Sequence, residues 1–343
     1  MTALAEHNLD QTDRAMLQQL QQSFPLEPQP WTWLGRYLSI PAAEARQRVW
    51  MLRTRGLIRQ ISAIYDTRRL GYQSTLVAAR ISESRIDDAA AVVSTHPGVS
   101  HNYRREAIYN LWFTLAVPPD RVLEDELDEL RRRAGLETVH ALPAVRTFRI
   151  GVQFDLGAGS RAGQVTGAHP ATTACNDGEE ERCRLSERDK RFIAVTQDDL
   201  PIVPQPFEPW CKQLNVSMDE LCEWMLKMQR RRVMRRFGAV LRHRQLGFTA
   251  NAMVVWQVPA AHIEVAGERA AAFDEVTHCY ERPTAPDWPY NLYTMIHAQS
   301  TETCEAVANQ LWQELLDLQI PRPHLIYSTK EYKKQRVRYF VSQ

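Results

Sequence analysis

The chain is short of several features that would place it in a familiar class. Its six cysteines, at positions 175, 183, 211, 222, 279 and 304, contain no CxxC pair. That spacing excludes a zinc-ribbon site and gives no sign of a disulfide framework. No apolar run approaches the ~20 residues of a membrane-spanning helix. The opening MTALAEHNLDQTD carries acidic residues and no apolar centre, so it does not read as a secretory leader. Charge of one sign is missing too: 42 Lys and Arg face 41 Asp and Glu, a net charge of +1. No whole-chain field therefore draws the protein to nucleic acid or to an anionic membrane. These absences predict a cytoplasmic protein with reduced thiols, no membrane partner and no specific DNA target. Cys279 reads as a small strand residue packed inside.

What the chain does have is a globular composition and a duplication. Apolar residues make up 44% of 343, enough to bury cores in two to four domains. Val99 to Leu115 reads VSHNYRREAIYNLWFTL, and Val276 to Ile296 reads VTHCYERPTAPDWPYNLYTMI. His101, Tyr103 and Arg105 recur as His278, Tyr280 and Arg282, while Tyr109, Asn110, Leu111 and Thr114 recur as Tyr290, Asn291, Leu292 and Thr294. Alternate residues of a strand share a face. Each copy thus sets His, Tyr and Arg side by side, and a hairpin partner follows. That partner carries Asn110 and Trp112 in the first copy, and Asn291, Tyr293, Met295 and His297 in the second. Packing alone gives no reason to write such a trio twice.

Around this strand the chain reads in modules. Leu9 to Gln22 is an apolar-striped helix, WTWLGRYLSI a second, and AAEARQRVWMLRTRG a third that starts at Pro41 and ends at Gly56. LIRQISAIYD alternates like a strand. Three helices and a strand wing spell a winged helix-turn-helix. STLVAARIS, RIDDAAAVVSTHP, the key strand with its hairpin partner, PPDRVLEDELDELRRRAG and ETVHALPAVRTFRIGVQF follow as βαββαβ, the ferredoxin-like split motif. The plan then repeats, with Leu185 and Asp189 matching Leu9 and Asp13, and Gly247-Phe248 matching Gly71-Tyr72. The expected fold is α+β. It comprises a winged helix-turn-helix (1–72), a βαββαβ domain (73–154), a polar flexible linker (155–184), a second winged helix-turn-helix (185–248) and a second βαββαβ domain (249–343). The halves are expected to pair their sheets into an intramolecular pseudo-twofold dimer.

A winged helix-turn-helix followed by a βαββαβ sheet domain resembles the Lrp/AsnC regulators. HNYRREAIYNLWFTL, HCYERPTAPDWPYNLYTMIH, SFPLEPQPW and STKEYKKQRVRYF carry a closer resemblance, to the siroheme decarboxylases, an AsnC-like family of haem d1 and alternative haem synthesis. In that family two different subunits pair, and in some members they are fused. The resemblance implies loss of CO2 from the acetate groups at C12 and C18 of siroheme. It further implies association of related subunits or self-association, and no cofactor beyond the iron of the substrate. Two other functions remain open: a regulator sensing a tetrapyrrole or another small ligand, and a non-catalytic tetrapyrrole carrier.

Siroheme is a flat iron macrocycle with eight carboxylates. Arginines suit those groups, aromatic walls suit the ring, and an imidazole suits the iron. The candidate catalytic residues are accordingly His101, Tyr103, His278 and Tyr280, with His101 or His278 the candidate axial ligand. Candidate substrate-binding residues are Arg104 (if the strand bulges), Arg105, Asn110, Trp112, Arg149, Arg282, Asn291, Tyr293, His297, Lys333 and Lys334, with Arg146 and Arg336 at the pocket rim. The second copy has Cys279 for Asn102, Glu281 for Arg104 and an inserted PDWP, and it alone carries His297. Unequal roles for the two copies are expected.

Overall fold

The computed structural model describes residues 9–150, 184–241 and 250–341. The expected linker, except for Arg184, and the Gly247-Phe248 turn lie outside the described residues.

Helix α1 (Gln11–Gln22) begins at Asp10, whose carboxylate accepts from the Asp13 amide at 2.7 Å, satisfying one of the helix's free N–H groups. Helices α2 (Pro30–Leu38) and α3 (Ala42–Thr54) follow, and then strand β1 (Ile58–Tyr65). Pro41 sits one position earlier than expected, as the N-cap of α3. The second unit repeats this with α6 (Glu187–Thr196), α7 (Glu208–Leu214), α8 (Met218–Arg230) and β7 (Met234–Leu241). The two wings do not stand apart. β1 and β7 pair antiparallel, and Phe24 packs edge-on against Phe207 and Phe237 across the join, at 6.1 and 5.8 Å. One apolar core therefore runs through both helix-turn-helix units.

The first βαββαβ unit comprises β2 (Gln73–Arg80), α4 (Ile86–Thr95), β3 (Val99–Arg105), β4 (Leu111–Val117), α5 (Leu123–Ala134) and β5 (Thr138–Pro143). Helix α5 starts later than the Pro118-Pro119 pair suggests, and ends at Gly135 with φ 65°, a left-handed value that costs glycine little. The closing segment is not one strand. It breaks after Pro143, and β6 (Arg146–Ile150) crosses to pair with the other half. The second unit comprises β8 (Ala250–Trp256), α9 (Ile263–Ala272), β9 (Val276–Glu281), β10 (Leu292–Ala298), α10 (Thr301–Gln313) and the long β11 (His324–Lys334).

Together they form a nine-stranded sheet, β5-β2-β4-β3-β11-β8-β10-β9-β6. The first part of β11 pairs with β8 and its remainder with β3. β6 does the same service for β9. Each half thus ends by adding a strand to the other, and the expected pseudo-twofold pairing is present within one chain. Helices cover one face of each half: α4 and α5 over β2–β4, α9 and α10 over β8–β10. The uncovered faces share a core of Ala78, Trp112, Leu142, Met253, Val255, Trp288, Tyr293 and Ile326. This inter-sheet layer is where the repeated strands turn their side chains.

Candidate active site

A register shift between Val99 and His101 on β3 sets the alternation that follows. His101, Tyr103 and Arg105 turn inward, while Asn102 turns to α4, where its amide donates to Ala90 O at 3.0 Å. On β9, His278, Tyr280 and Arg282 turn inward, and Cys279 is buried against α9 with its sulfur 3.7 Å from Gly267 O. Cys279 is thus the packed strand residue the sequence suggests. The two trios are near copies. His101 and Tyr103 rings lie 6.2 Å apart at 31°, and His278 and Tyr280 6.1 Å apart at 29°. Arg105 Cζ lies 5.6 Å from the Tyr103 ring centre, and Arg282 Cζ 4.8 Å from that of Tyr280. Each arginine also reaches across the pseudo-twofold: Arg105 Nη1 donates to Ile326 O at 3.0 Å, and Arg282 Nη1 to Leu142 O.

The electrostatics of these ladders point to an anionic ligand. Nε of Arg105 and Nε of Arg282 are both buried without a hydrogen-bond partner, an arrangement that is costly unless something accepts from them. Burial lowers the pKa of both guanidinia, that of Arg105 to about 10. Burial is also the main reason that both imidazoles fall to about 4. Lys334 and Arg59 add to the effect at His101, and His101 itself, then Arg282 and Arg149, at His278. The protein therefore holds both imidazoles neutral at pH 7. A hydroxyl engages Nδ1 of each ring, Ser100 Oγ at 2.9 Å for His101 and Thr277 Oγ1 at 3.0 Å for His278, leaving Nε2 for a substrate atom.

Of the other sequence candidates, Trp112, Tyr293, His297 and Lys334 join the ladders. Trp112 and Tyr293 line the shared core, and the Arg282 guanidinium also lies 5.6 Å from the Tyr293 ring. His297 Nδ1 lies 2.9 Å from the Thr277 hydroxyl. Lys334 is the register partner of His101.

Several candidates are occupied elsewhere. Asn110 lies just before β4, and its amide bonds both N and O of Ile81. Asn291 does the same with Val258. These asparagines tie hairpin loops to the ends of β2 and β8 and do not face the inter-sheet layer. Arg149 donates to Ala271 O and Phe273 O at the end of α9, and Lys333 to Ser94 O and His96 O at the end of α4. Both therefore cap helix carbonyls. Arg104 stays on the helix side, paired with Glu83, because the bulge falls before His101 rather than after it. Arg146 pairs with Glu264 and Glu281.

Other residues enter that sequence reasoning passed over. The inserted loop drives Trp288 into the core, 3% exposed, against Tyr109 at 5.4 Å and Trp112 at 5.6 Å. Trp288 Nε1 donates to Tyr293 OH at 2.7 Å. Asp287 anchors the loop by accepting from Tyr109 OH and meeting His140 Nε2 at 2.9 Å, while Tyr109 and His140 are 2.6 Å apart. Burial, then Asp287, pushes the Tyr109 phenol up to about 12. The PDWP insertion was visible in the sequence, but not that its tryptophan would fill the space between sheets. Arg68 of the first helix-turn-helix unit donates to Ala144 O at 2.8 Å, a cross-domain contact without any local signal. Among the described residues no cluster of His, Cys, Asp and Glu could hold a metal by itself, and no helix is long and apolar enough to cross a membrane.

Comparison with known proteins agrees with this architecture. A model for an AsnC-like ligand binding domain matches residues 69–149 and 245–333, and one for a siroheme decarboxylase NirDL-like HTH domain matches 13–59 and 189–235. A siroheme decarboxylase of Hydrogenobacter thermophilus is 36% identical over 96% of this chain and 95% of its own. The siroheme decarboxylase NirDL subunit of Paracoccus denitrificans is 34% identical over 95% and 97%. A separate siroheme decarboxylase beta subunit of Methanosarcina barkeri, 42% identical, covers 45% of this chain and 99% of itself. The crystal structure of the siroheme decarboxylase NirDL superposes with a TM-score of 0.75 at 33% identity, over 97% of this chain and 95% of that one. Another, in co-complex with an iron-uroporphyrin III analogue, matches equally well at 32% identity. On full-length identity and shared architecture, the chain belongs to the siroheme decarboxylase family.

Proposed function

We propose that the two ladders line a single siroheme site, in which the acetate arms at C12 and C18 lose CO2. The observation that carries this reading is the pair of arginines, each with a buried, unpartnered Nε, in the two His-Tyr-Arg ladders. Arg105 and Arg282 would each hold a carboxylate by two N–H groups, with Tyr103, Tyr280, Trp112 and Tyr293 walling the macrocycle. In the reaction the bond between the acetate methylene and its carboxylate breaks. CO2 leaves, the bonding electrons pass into the conjugated ring, and a proton then completes the methyl group. A neutral imidazole is a poor donor. Carboxylates brought among these groups favour the imidazolium, however, so substrate binding itself loads a histidine with the proton it delivers. The remaining histidine is free to meet the iron through Nε2. Siroheme is the proposed small-molecule partner, and separately encoded subunits of relatives suggest that the two fused halves replace a heterodimer.

Anaerobic incubation of the purified chain with siroheme, with products followed by mass spectrometry, tests the reading. Successive losses of CO2 are expected. Unchanged siroheme, bound but not converted, would favour a carrier. Regulation of transcription is disfavoured by the pairing of the two wings with each other, and by α3, which presents Trp50 at 55% exposure rather than a compact set of base-reading side chains.

A further inference from the structure

The chain beyond β11 carries a second set of cations over the His101 ladder. Arg336 lies two residues after Lys334, and its Nη1 donates to Ser62 Oγ at 2.8 Å. Ser62 is a buried residue of β1, opposite Gly238 of β7, so this contact joins the tail to the paired wings. Gln60 donates to the same hydroxyl at 2.7 Å. Arg59, also on β1, donates through Nη2 to Lys334 O at 2.9 Å, and Lys334 is the strand neighbour of His101. Arg236, on β7 opposite Ile64, completes the group. Burial first, then Arg236 and Arg59, bring the Arg336 guanidinium down to about 10, and burial lowers Arg236 as well.

The arginines around this group are spoken for. Arg235 is paired with Asp66, Arg338 with Asp198, and Arg53 with Asp199. Arg59, Arg236 and Arg336 form no ion pair with any described residue. Three like charges drawn from both helix-turn-helix units and the C-terminal segment, all half-buried, repel one another unless an anion joins them. Arg59 ties the group to Lys334, the register partner of His101, and so sets it at the edge of that ladder.

We propose that Arg59, Arg236 and Arg336 form a carboxylate-binding roof over the His101 ladder, which receives the acidic side chains of the tetrapyrrole. The inference rests on the siroheme reading above and gives the helix-turn-helix units a part in substrate binding. With Nη1 committed to Ser62, Arg336 still offers Nη2, and planar guanidinia match carboxylates better than lysine would.

The test uses the full chain with Arg236→Gln and Arg336→Gln, singly and together. Each protein is titrated anaerobically with siroheme, and with protohaem as a two-carboxylate probe, at low and high salt, beside a thermal melt. In the double variant siroheme Kd is expected to rise ~10–100-fold and to lose much of its salt dependence. Protohaem Kd should stay near wild type, and melting temperature at or above it, since removing crowded charge relieves repulsion. Should the double variant unfold, Arg59→Gln carries the same expectation. Wild-type siroheme affinity and salt dependence in these variants would remove the roof and leave the functional reading standing. Failure of the wild type itself to bind siroheme would remove both.

Discussion

The two ladders share a skeleton and differ in their walls. His, Tyr and Arg keep the same spacing and ring geometry in both halves. The supports beneath them are equally paired: Asn110 with Asn291, and Lys333 with Arg149. Beside His101 and Tyr103, the crossing strand sets Lys334 and Glu331. Beside His278 and Tyr280 it sets Ile150 and Thr147. His297 stands near His278 and shares the Thr277 hydroxyl with it, at 2.9 and 3.0 Å. A hydroxyl has one proton, so at most one of those rings can accept it and the other must carry its proton on Nδ1. Duplication has kept what positions the ladders and altered what surrounds them. His101 feels Lys334 and Arg59; His278 feels Arg282 and Arg149 and has a second imidazole beside it. On the proposed reading, proton delivery falls to His101, where carboxylates would gather.

The largest effect should come from breaking that assignment. His101→Ala is expected to lower turnover ~10²–10⁴-fold, the usual cost of a lost acid or base, while siroheme still binds. His278→Ala should cost less in rate and alter the bound-siroheme spectrum. Single-turnover rates and absorbance titrations separate the two, and equal rate losses would erase the distinction. The Trp288 plug has no counterpart in the first half. Trp288→Ala should destabilise the chain by about 3–5 kcal/mol, as large buried aromatics do, read by denaturant melts. Asp287→Asn should loosen the same loop by less.

Arg105→Ala and Arg282→Ala come next, each expected to weaken siroheme binding ~10–100-fold through loss of a two-point carboxylate contact. Comparable effects are expected because both guanidinia are held alike. A tolerant Arg282→Ala beside a damaging Arg105→Ala would mean that the macrocycle lies against one ladder alone.

The smallest effect is on pH. Both imidazoles titrate near 4 in the folded chain against about 6.5 when unfolded. Between those values the unfolded chain binds more protons, so folding stability is full above pH 6.5 and falls as pH drops toward 4. His101→Gln and His278→Gln should each flatten that decline in thermal melts. An unchanged slope in both would place the acid sensitivity elsewhere.

Most of the fold was legible because its signals are local. Gly56 and Gly135 mark helix ends, and the repeat carries the second unit over from the first. Crossing strands were not legible: the break after Pro143 looks like one continuous strand, and only pairing with β9 gives β6 a reason. The same holds for the site. His101, Tyr103, Arg105 and their copies follow from strand alternation. Arg149 and Lys333 also sit on site strands, but bulges at Thr147/Arg149 and Glu331/Lys333 turn them to the helix ends. Asn110 and Asn291 recur because a hairpin needs them, which shows that repetition alone does not separate chemistry from scaffold.

The central claim is that both ladders serve one substrate. Anaerobic titration of the full chain with siroheme, followed by absorbance to saturation, tests it most directly. One equivalent per chain is expected, all of it losing turnover with His101→Ala and all of it changing spectrum with His278→Ala. Two equivalents per chain, each sensitive to one histidine alone, would contradict it.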